Sequence, residues 1–107
     1  MHGMPERLAA LRTQRTAFDN TGQADLWAAG VAITAPGGHG TQYGFAVPTV
    51  DADTDIDAFI AARIDEGADL IKLIVEDLSA YDAEHPMPTL NADQIARTIA
   101  AAHAHGK

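Results

Sequence analysis

The sequence contains no cysteine among its 107 residues, and this absence removes several classes of site at once. A chain without cysteine has no disulfide framework, no thiolate zinc site and no cysteine nucleophile. Basic residues are also scarce, with 7 Lys and Arg against 15 Asp and Glu, and they form no cluster. A formal charge of −8 without a basic patch argues against nucleic acid and anionic membranes as partners.

Long apolar runs are missing as well. No run approaches the length of a membrane-spanning helix, and residues 1–14 lack the apolar core of a signal peptide. Cytoplasm is therefore the expected compartment. The apolar content of 47% suits one core, and the length leaves no room for a second, so we treat residues 1–107 as a single unit.

Three segments have the apolar spacing and the end signals of helices. The first runs from Pro5 toward Gly22, and the second covers residues 53–67. The third covers residues 90–107, where Asn91 and Gln94 have the spacing of a capping box and Gly106 supplies a stop signal. In the first helix, Met4, Leu8, Leu11, Arg15 and Phe18 recur at helical spacing, which predicts an amphipathic helix with one largely apolar face.

Two short apolar segments, "ADLWAAGVAIT" (residues 24–34) and "DLIKLIVE" (residues 69–76), have the composition of buried strands. The predicted order is helix, strand, helix, strand, helix, which indicates an α/β fold with parallel strands and crossover helices. Two parallel strands alone leave unpaired edges and a half-covered core. We therefore expect a fragment of a larger α/β protein, with self-association covering the edges.

Lys72 lies inside the most apolar segment, although the chain has only one other lysine, the last residue. In a strand, Leu70, Lys72, Ile74 and Glu76 point to one face, and Ile71, Leu73 and Val75 point to the other. Burial destabilises the charged form of a lysine, and the neutral amine is a nucleophile. It can form a Schiff base with a carbonyl, or a carbamate with carbon dioxide that bridges two divalent metals. A side chain that reaches solvent, or pairs with Glu76, needs no chemistry.

The segments "AITAPGGHG" (residues 32–40), "GADLIKLIVED" (residues 67–77) and "LNADQIARTIAAAHAHGK" (residues 90–107) resemble, in this order, the central part of metal-dependent amidohydrolases. The resemblance is to the prolidase-like and imidazolonepropionase-related branch and covers nearly the whole chain. It implies a (β/α)8 TIM barrel, of which this chain would be an incomplete part around strands three and four.

The resemblance also implies roles for individual residues. Lys72 matches the lysine that is carboxylated and bridges two metal ions, commonly zinc. His39 matches a histidine near the substrate, and we expect it to act as a catalytic and substrate-binding residue. Asp77, directly after the lysine segment, is a candidate substrate-binding residue. The implied reaction is hydrolysis of an amide, cyclic amide or peptide bond in a small-molecule or dipeptide-like substrate.

The remaining family ligands are a His-x-His pair, two single histidines and an aspartate, and the sequence has no match for them. We therefore expect this chain alone to be inactive and to hold no metal tightly. Two alternatives stay open: a class I aldolase-type barrel in which Lys72 forms a Schiff base, and a non-catalytic truncated product. The sequence also departs from many relatives at Leu78 and Ser79, where a glycine is common, which leaves the substrate loop undefined.

Other motifs have simpler explanations. His103 and His105 are two residues apart on a predicted helix, so their side chains point about 200° apart and do not share one metal. We interpret them as favourable charges at a helix C-terminus. "GGHGTQYG" matches no phosphate-binding pattern. His2 and His85 are expected at the surface.

Overall fold

The computed structural model describes residues 5–17 and 21–107. These residues contain three α-helices, α1 (Pro5–Thr16), α2 (Ile56–Asp65) and α3 (Ala92–Ala104), and a short 3-10 turn at Thr41–Tyr43. All three predicted helices are thus present, although α1 ends earlier than expected. Met4 and Phe18, assigned to its apolar face, and His2 lie outside the described residues. None of the helices in this part of the chain has the length and apolar content to cross a membrane.

The ends of α2 and α3 are formed by the local signals that the sequence indicates. The Asp55 carboxylate accepts a hydrogen bond from the Ala58 N–H at 3.1 Å and begins α2. Asn91 Oδ1 accepts from the Gln94 N–H, and Gln94 Oε1 accepts from the Asn91 N–H, both at 2.9 Å. The predicted capping box is confirmed.

The predicted strands are absent from the described residues, and the predicted α/β fold class is wrong. The β-bridge between residues 24–34 and 69–76 is a single isolated parallel one, between Ile33 and Leu73. A second isolated bridge joins Thr34 to Thr49, a partner that the sequence did not suggest. Since neither bridge continues into a ladder, residues 5–17 and 21–107 form no sheet and no part of a (β/α)8 barrel.

The backbone conformation on either side of the bridges explains why the strand pairing does not continue. The Ile33 N–H donates to the Lys72 carbonyl at 2.9 Å, and the Ile74 N–H donates to the Ile33 carbonyl at 2.8 Å. Toward the N-terminus, Gly30 has a φ of 66°, which takes the chain out of the extended conformation. Beside the second bridge, Pro48 has no N–H to donate. Apolar, β-branched composition identified two segments that meet at one bridge, but none of residues 69–76 is buried, and composition did not identify a continuous partner for either segment.

The core lies where α2 and α3 meet the extended segments. Ile60 and Val50 are fully buried, and Ile33 is nearly so. Partly buried side chains, including Leu73, pack against this cluster. The buried members of the cluster are Ile33, Ala35, Val50, Ile56, Ile60, Leu90 and Ala102.

Helix α1 attaches to the rest of the molecule through Leu8, which is buried. A Cβ atom at Gly67 would lie 3.0 Å from the Leu8 Cβ, and one at Gly30 would lie 3.4 Å from the Leu8 Cδ1. Both glycines have a positive φ, so they supply the backbone conformation and the space that Leu8 requires.

Candidate functional site

A cavity of about 630 Å³ lies beside the bridge between Ile33 and Leu73. Its wall combines residues 30–32, the loop that carries His39, and residues 72–76. Its volume is in the range of roughly 300–1,000 Å³ that is usual for small-molecule sites. Most lining side chains are aliphatic or aromatic, and the lining includes one imidazole, one amine and one carboxylate: His39, Lys72 and Glu76.

Lys72 lines this cavity, and its side chain is exposed. The burial that would favour a neutral amine depends on a continuous sheet, and single bridges leave the Lys72 side chain without one. Its backbone is fixed, since the Lys72 carbonyl accepts the bridge hydrogen bond from Ile33. Carboxylation of Lys72 stays a prediction.

His39 lines the same cavity and is half-buried. Its Nε2 lies 3.2 Å from the Tyr43 hydroxyl oxygen, which is within hydrogen-bond distance. The tautomer of the His39 ring decides which of the two atoms is the donor. Its Nδ1 is buried and has no hydrogen-bond partner among the described groups. Buried polar atoms are normally satisfied, so this nitrogen is an exception among the described groups. The structure thus brings His39 and Lys72 to one cavity.

The loop around His39 is held by close backbone packing. A Cβ atom at Gly38 would lie 2.6 Å from Thr34 Oγ1 and 2.7 Å from the Pro88 carbonyl oxygen, so only glycine fits without a shift. The Gly38 N–H donates to the Ala35 carbonyl at 2.8 Å, and the Thr41 N–H donates to the Gly38 carbonyl at 3.1 Å. These contacts hold the loop that carries His39 against the Ile33 segment.

The 3-10 turn after His39 carries the aromatic residues of the cavity. Gly40 and Gly44 flank the turn with φ angles of 105° and 79°, conformations that favour glycine. The rings of Tyr43 and Phe45 are stacked, with centroids 6.4 Å apart and planes 16° apart. Both rings line the cavity, and the sequence reasoning did not single them out. The available signal was the pair of aromatic residues in "TQYGF", directly after the histidine loop.

The two acids after Lys72 have different positions. Glu76 lines the cavity, and its Oε1 accepts a hydrogen bond from the Leu78 N–H at 2.9 Å. Asp77 is not part of the cavity lining, and its Oδ1 accepts from the Ser79 N–H at 2.9 Å. Hydrogen bonds from the Ser79 side chain and backbone lower the pKa of Asp77. Asp77 stabilises a turn here, and its substrate-binding role stays a prediction.

Metal-ligating residues do not converge in the described part of the chain. Residues 5–17 and 21–107 contain no group of three or more His, Cys, Asp or Glu that could hold a metal ion. His39 and Glu76 share the cavity with Lys72, but a two-metal centre with a bridging carbamate needs more ligands than these. At the end of α3, His105 Nε2 lies 3.3 Å from Asp57 Oδ1. His85 pairs with Asp82 at 3.2 Å on the surface.

Comparisons with protein-family models, curated proteins and solved structures found no significant match to the chain. The resemblance to amidohydrolases therefore rests on the three quoted segments alone. The function of the cavity has to be argued from those segments and from the chemistry of its own side chains.

Proposed function

We propose that this chain is part of a metal-dependent hydrolase that cleaves amide, cyclic amide or peptide C–N bonds. The observation that carries the proposal is that His39 and Lys72 line one cavity. The resemblance assigns one of them to the substrate and the other to the metal, and they lie on separate segments of the chain. The proposed substrate is a small molecule or dipeptide-like compound in the cytoplasm, with neither nucleic acid nor membrane as partner.

Lys72 has a defined role in this proposal. Its neutral amine attacks the carbon of carbon dioxide, a C–N bond forms, and the release of one proton leaves an anionic carbamate. The neutral amine is the reactive form, and burial favours the neutral form of a lysine. We therefore expect Lys72 to be unmodified in this chain alone, and to be carboxylated where further protein covers the cavity.

Two divalent metal ions, zinc by the resemblance, would supply an activated water and polarise the scissile carbonyl when bound. The described residues do not fit a complete centre of this kind. In the proposal, the described residues contribute one metal ligand, the Lys72 carbamate, and a substrate pocket. The further ligands would have to come from family segments that have no match in this sequence.

His39 has the second role in the proposal. Its buried Nδ1 has no partner among the described groups, while its Nε2 is within hydrogen-bond distance of Tyr43. A substrate in the cavity would contact the His39 ring, and the Tyr43 contact would restrain the orientation of that ring.

A Schiff-base lysine is the second candidate, because the Lys72 side chain is exposed beside a mainly apolar cavity. An amine in this position can attack a ligand carbonyl without a metal. Borohydride reduction separates the two candidates. The chain is mixed with a carbonyl compound and then reduced with borohydride. A covalent adduct on Lys72 would favour the Schiff-base candidate over the hydrolase.

The test of the hydrolase is made in an enzyme assembled from this sequence and the ligand-bearing segments of the family. Lys72→Ala should remove bound metal and hydrolysis together, and short carboxylic acids should partly restore both by replacing the carbamate. Lys107→Ala, at the only other lysine, is the matched control and should keep both. Two metal ions per chain with normal hydrolysis in the Lys72→Ala protein would show that Lys72 is not a ligand.

A further inference from the structure

We infer that the cavity binds a planar aromatic group of its ligand, and that Tyr43 and Phe45 form the surface on which this group packs. The inference specifies the substrate class of the proposed hydrolase and rests on that function for the bond that is cleaved. The binding of the aromatic group itself requires neither metal nor turnover.

The first argument is the exposure of two large rings at one place. Tyr43 is 61% exposed and Phe45 is 49% exposed, whereas the core side chains are nearly inaccessible. Burial of an aromatic ring is strongly favourable, so two adjacent exposed rings beside a cavity mark a surface that a ligand can cover.

The second argument is the arrangement of the rings. Their planes are 16° apart, so the pair presents nearly parallel faces beside the cavity. Aromatic rings prefer offset-stacked or edge-to-face contacts with one another, and a saturated ring lacks the quadrupole that favours these geometries. The pair therefore discriminates a flat aromatic ring from an aliphatic ring of similar size.

The third argument is that the turn fixes Tyr43 before a ligand arrives. The Tyr43 hydroxyl lies 3.2 Å from His39 Nε2, and the Gly40 N–H donates to Gln42 Oε1 at 2.6 Å. Val47 and Ile74 continue the cavity wall with aliphatic surface. An aromatic group packed on the rings would leave its polar substituent free to reach His39.

The test compares phenylacetamide with cyclohexylacetamide, two amides that differ in ring planarity, by titration of the ¹⁵N-labelled full chain. Phenylacetamide should bind about two- to tenfold more tightly, the preference expected for one aromatic pair. The largest amide shifts should fall on residues 40–45. The double variant Tyr43→Leu and Phe45→Leu should lose the preference. Tyr81→Leu, at a tyrosine that is 85% exposed and outside the cavity, should keep it.

Equal affinity for the two amides in the unaltered chain, or shifts centred on other residues, would overturn the inference. The comparison of ligands in the unaltered chain needs no variant to fold. An aromatic preference in the chain, without hydrolysis by the assembled enzyme, would sustain the aromatic site and reject the hydrolase. Hydrolysis by the assembled enzyme, without any aromatic preference in the chain, would support the hydrolase and reject the aromatic site.

Discussion

The guanidinium of Arg15 donates two hydrogen bonds to the carboxylate of Asp69, from Nη1 to Oδ2 at 3.0 Å and from Nη2 to Oδ1 at 2.8 Å. Arg15 Nη1 also donates to the Leu26 carbonyl at 2.8 Å, and the guanidinium lies 4.0 Å from the centre of the Trp27 ring. Asp69 Oδ2 accepts from the Ala28 N–H at 3.1 Å. This pair joins the end of α1 to both extended segments that border the cavity.

The first prediction concerns the attachment of α1. Arg15→Met keeps most of the aliphatic stem but removes the bidentate pair, so α1 should open more often. Amide hydrogen exchange in α1 should become faster, on the order of tenfold. Arg7→Met, at an exposed position of the same helix, is the control and should change exchange little. Unchanged exchange in the Arg15→Met protein would show that Leu8 alone holds the helix.

The second prediction is a loss of stability in acid. The hydrogen bond from Arg15 is the main cause that lowers the pKa of Asp69 below its ordinary value of 3.8, while burial acts in the opposite direction. A lowered pKa in the folded state means that the ionised carboxylate stabilises the fold. This contribution is fully present well above pH 3.8 and is lost as the pH falls through 3.8 toward the lower folded pKa.

The effect is measured by denaturant titrations between pH 6 and pH 2, a range that brackets the ordinary pKa of a carboxyl group. At pH 6, the Asp69→Asn protein should be less stable than the unaltered chain. As the pH falls toward 2, it should lose less stability than the unaltered chain does. Asp51 and Asp77 also have lowered pKa values, through hydrogen bonds from Thr54 and Ser79, so some acid sensitivity should remain. Parallel curves for the two proteins would contradict the assignment to Asp69.

The helix ends could be predicted from the sequence because their signals are local. Asp55 and Asn91 cap backbone groups three residues away, and Gly67 and Gly106 adopt the positive φ that ends a helix. These interactions depend on little beyond one turn of chain.

The strands could not be predicted in the same way, because a sheet depends on distant partners. The sequence indicated that residues 24–34 and 69–76 are apolar and extended, and they do pair through Ile33 and Leu73. It did not indicate that Thr49 would take the other side of Thr34, or that each pairing would stop after one bridge. For the site, the resemblance led to His39 and Lys72, whereas the local turn that carries Tyr43 gave no indication in the sequence of the cavity that this residue lines.

The third prediction tests the close packing below His39. Gly38→Ala places a methyl group against the Thr34 hydroxyl and the Pro88 carbonyl, so the loop has to move. The free energy of unfolding should fall by about 1–3 kcal/mol, the usual range for overpacking. The ring resonances of His39 should shift in the NMR spectrum. Gly22→Ala, where an added Cβ meets no atom within 4 Å, is the control and should leave both unchanged.

The fourth prediction concerns the start of α3. Asn91→Ala removes the side-chain cap on the Gln94 N–H, so the free energy of unfolding should fall by about 1 kcal/mol. Thr89→Ala, at an exposed residue before the cap, should have a smaller effect. Chemical denaturation of the two variants provides the measurement. Equal stability of Asn91→Ala and the unaltered chain would mean that water replaces the cap without loss.

The last prediction separates a substrate contact at His39 from a structural one. In the assembled enzyme, His39→Ala should lower turnover while bound metal stays at the level of the unaltered protein, because the proposal gives His39 to the substrate and Lys72 to the metal. His85→Ala, at an exposed histidine paired with Asp82, is the matched control and should keep both properties. Tyr43→Phe removes only the hydroxyl next to His39 Nε2, so it should weaken turnover less than His39→Ala. Normal turnover in the His39→Ala protein would reduce this residue to a part of the turn, and joint loss of metal and turnover would make it a ligand instead.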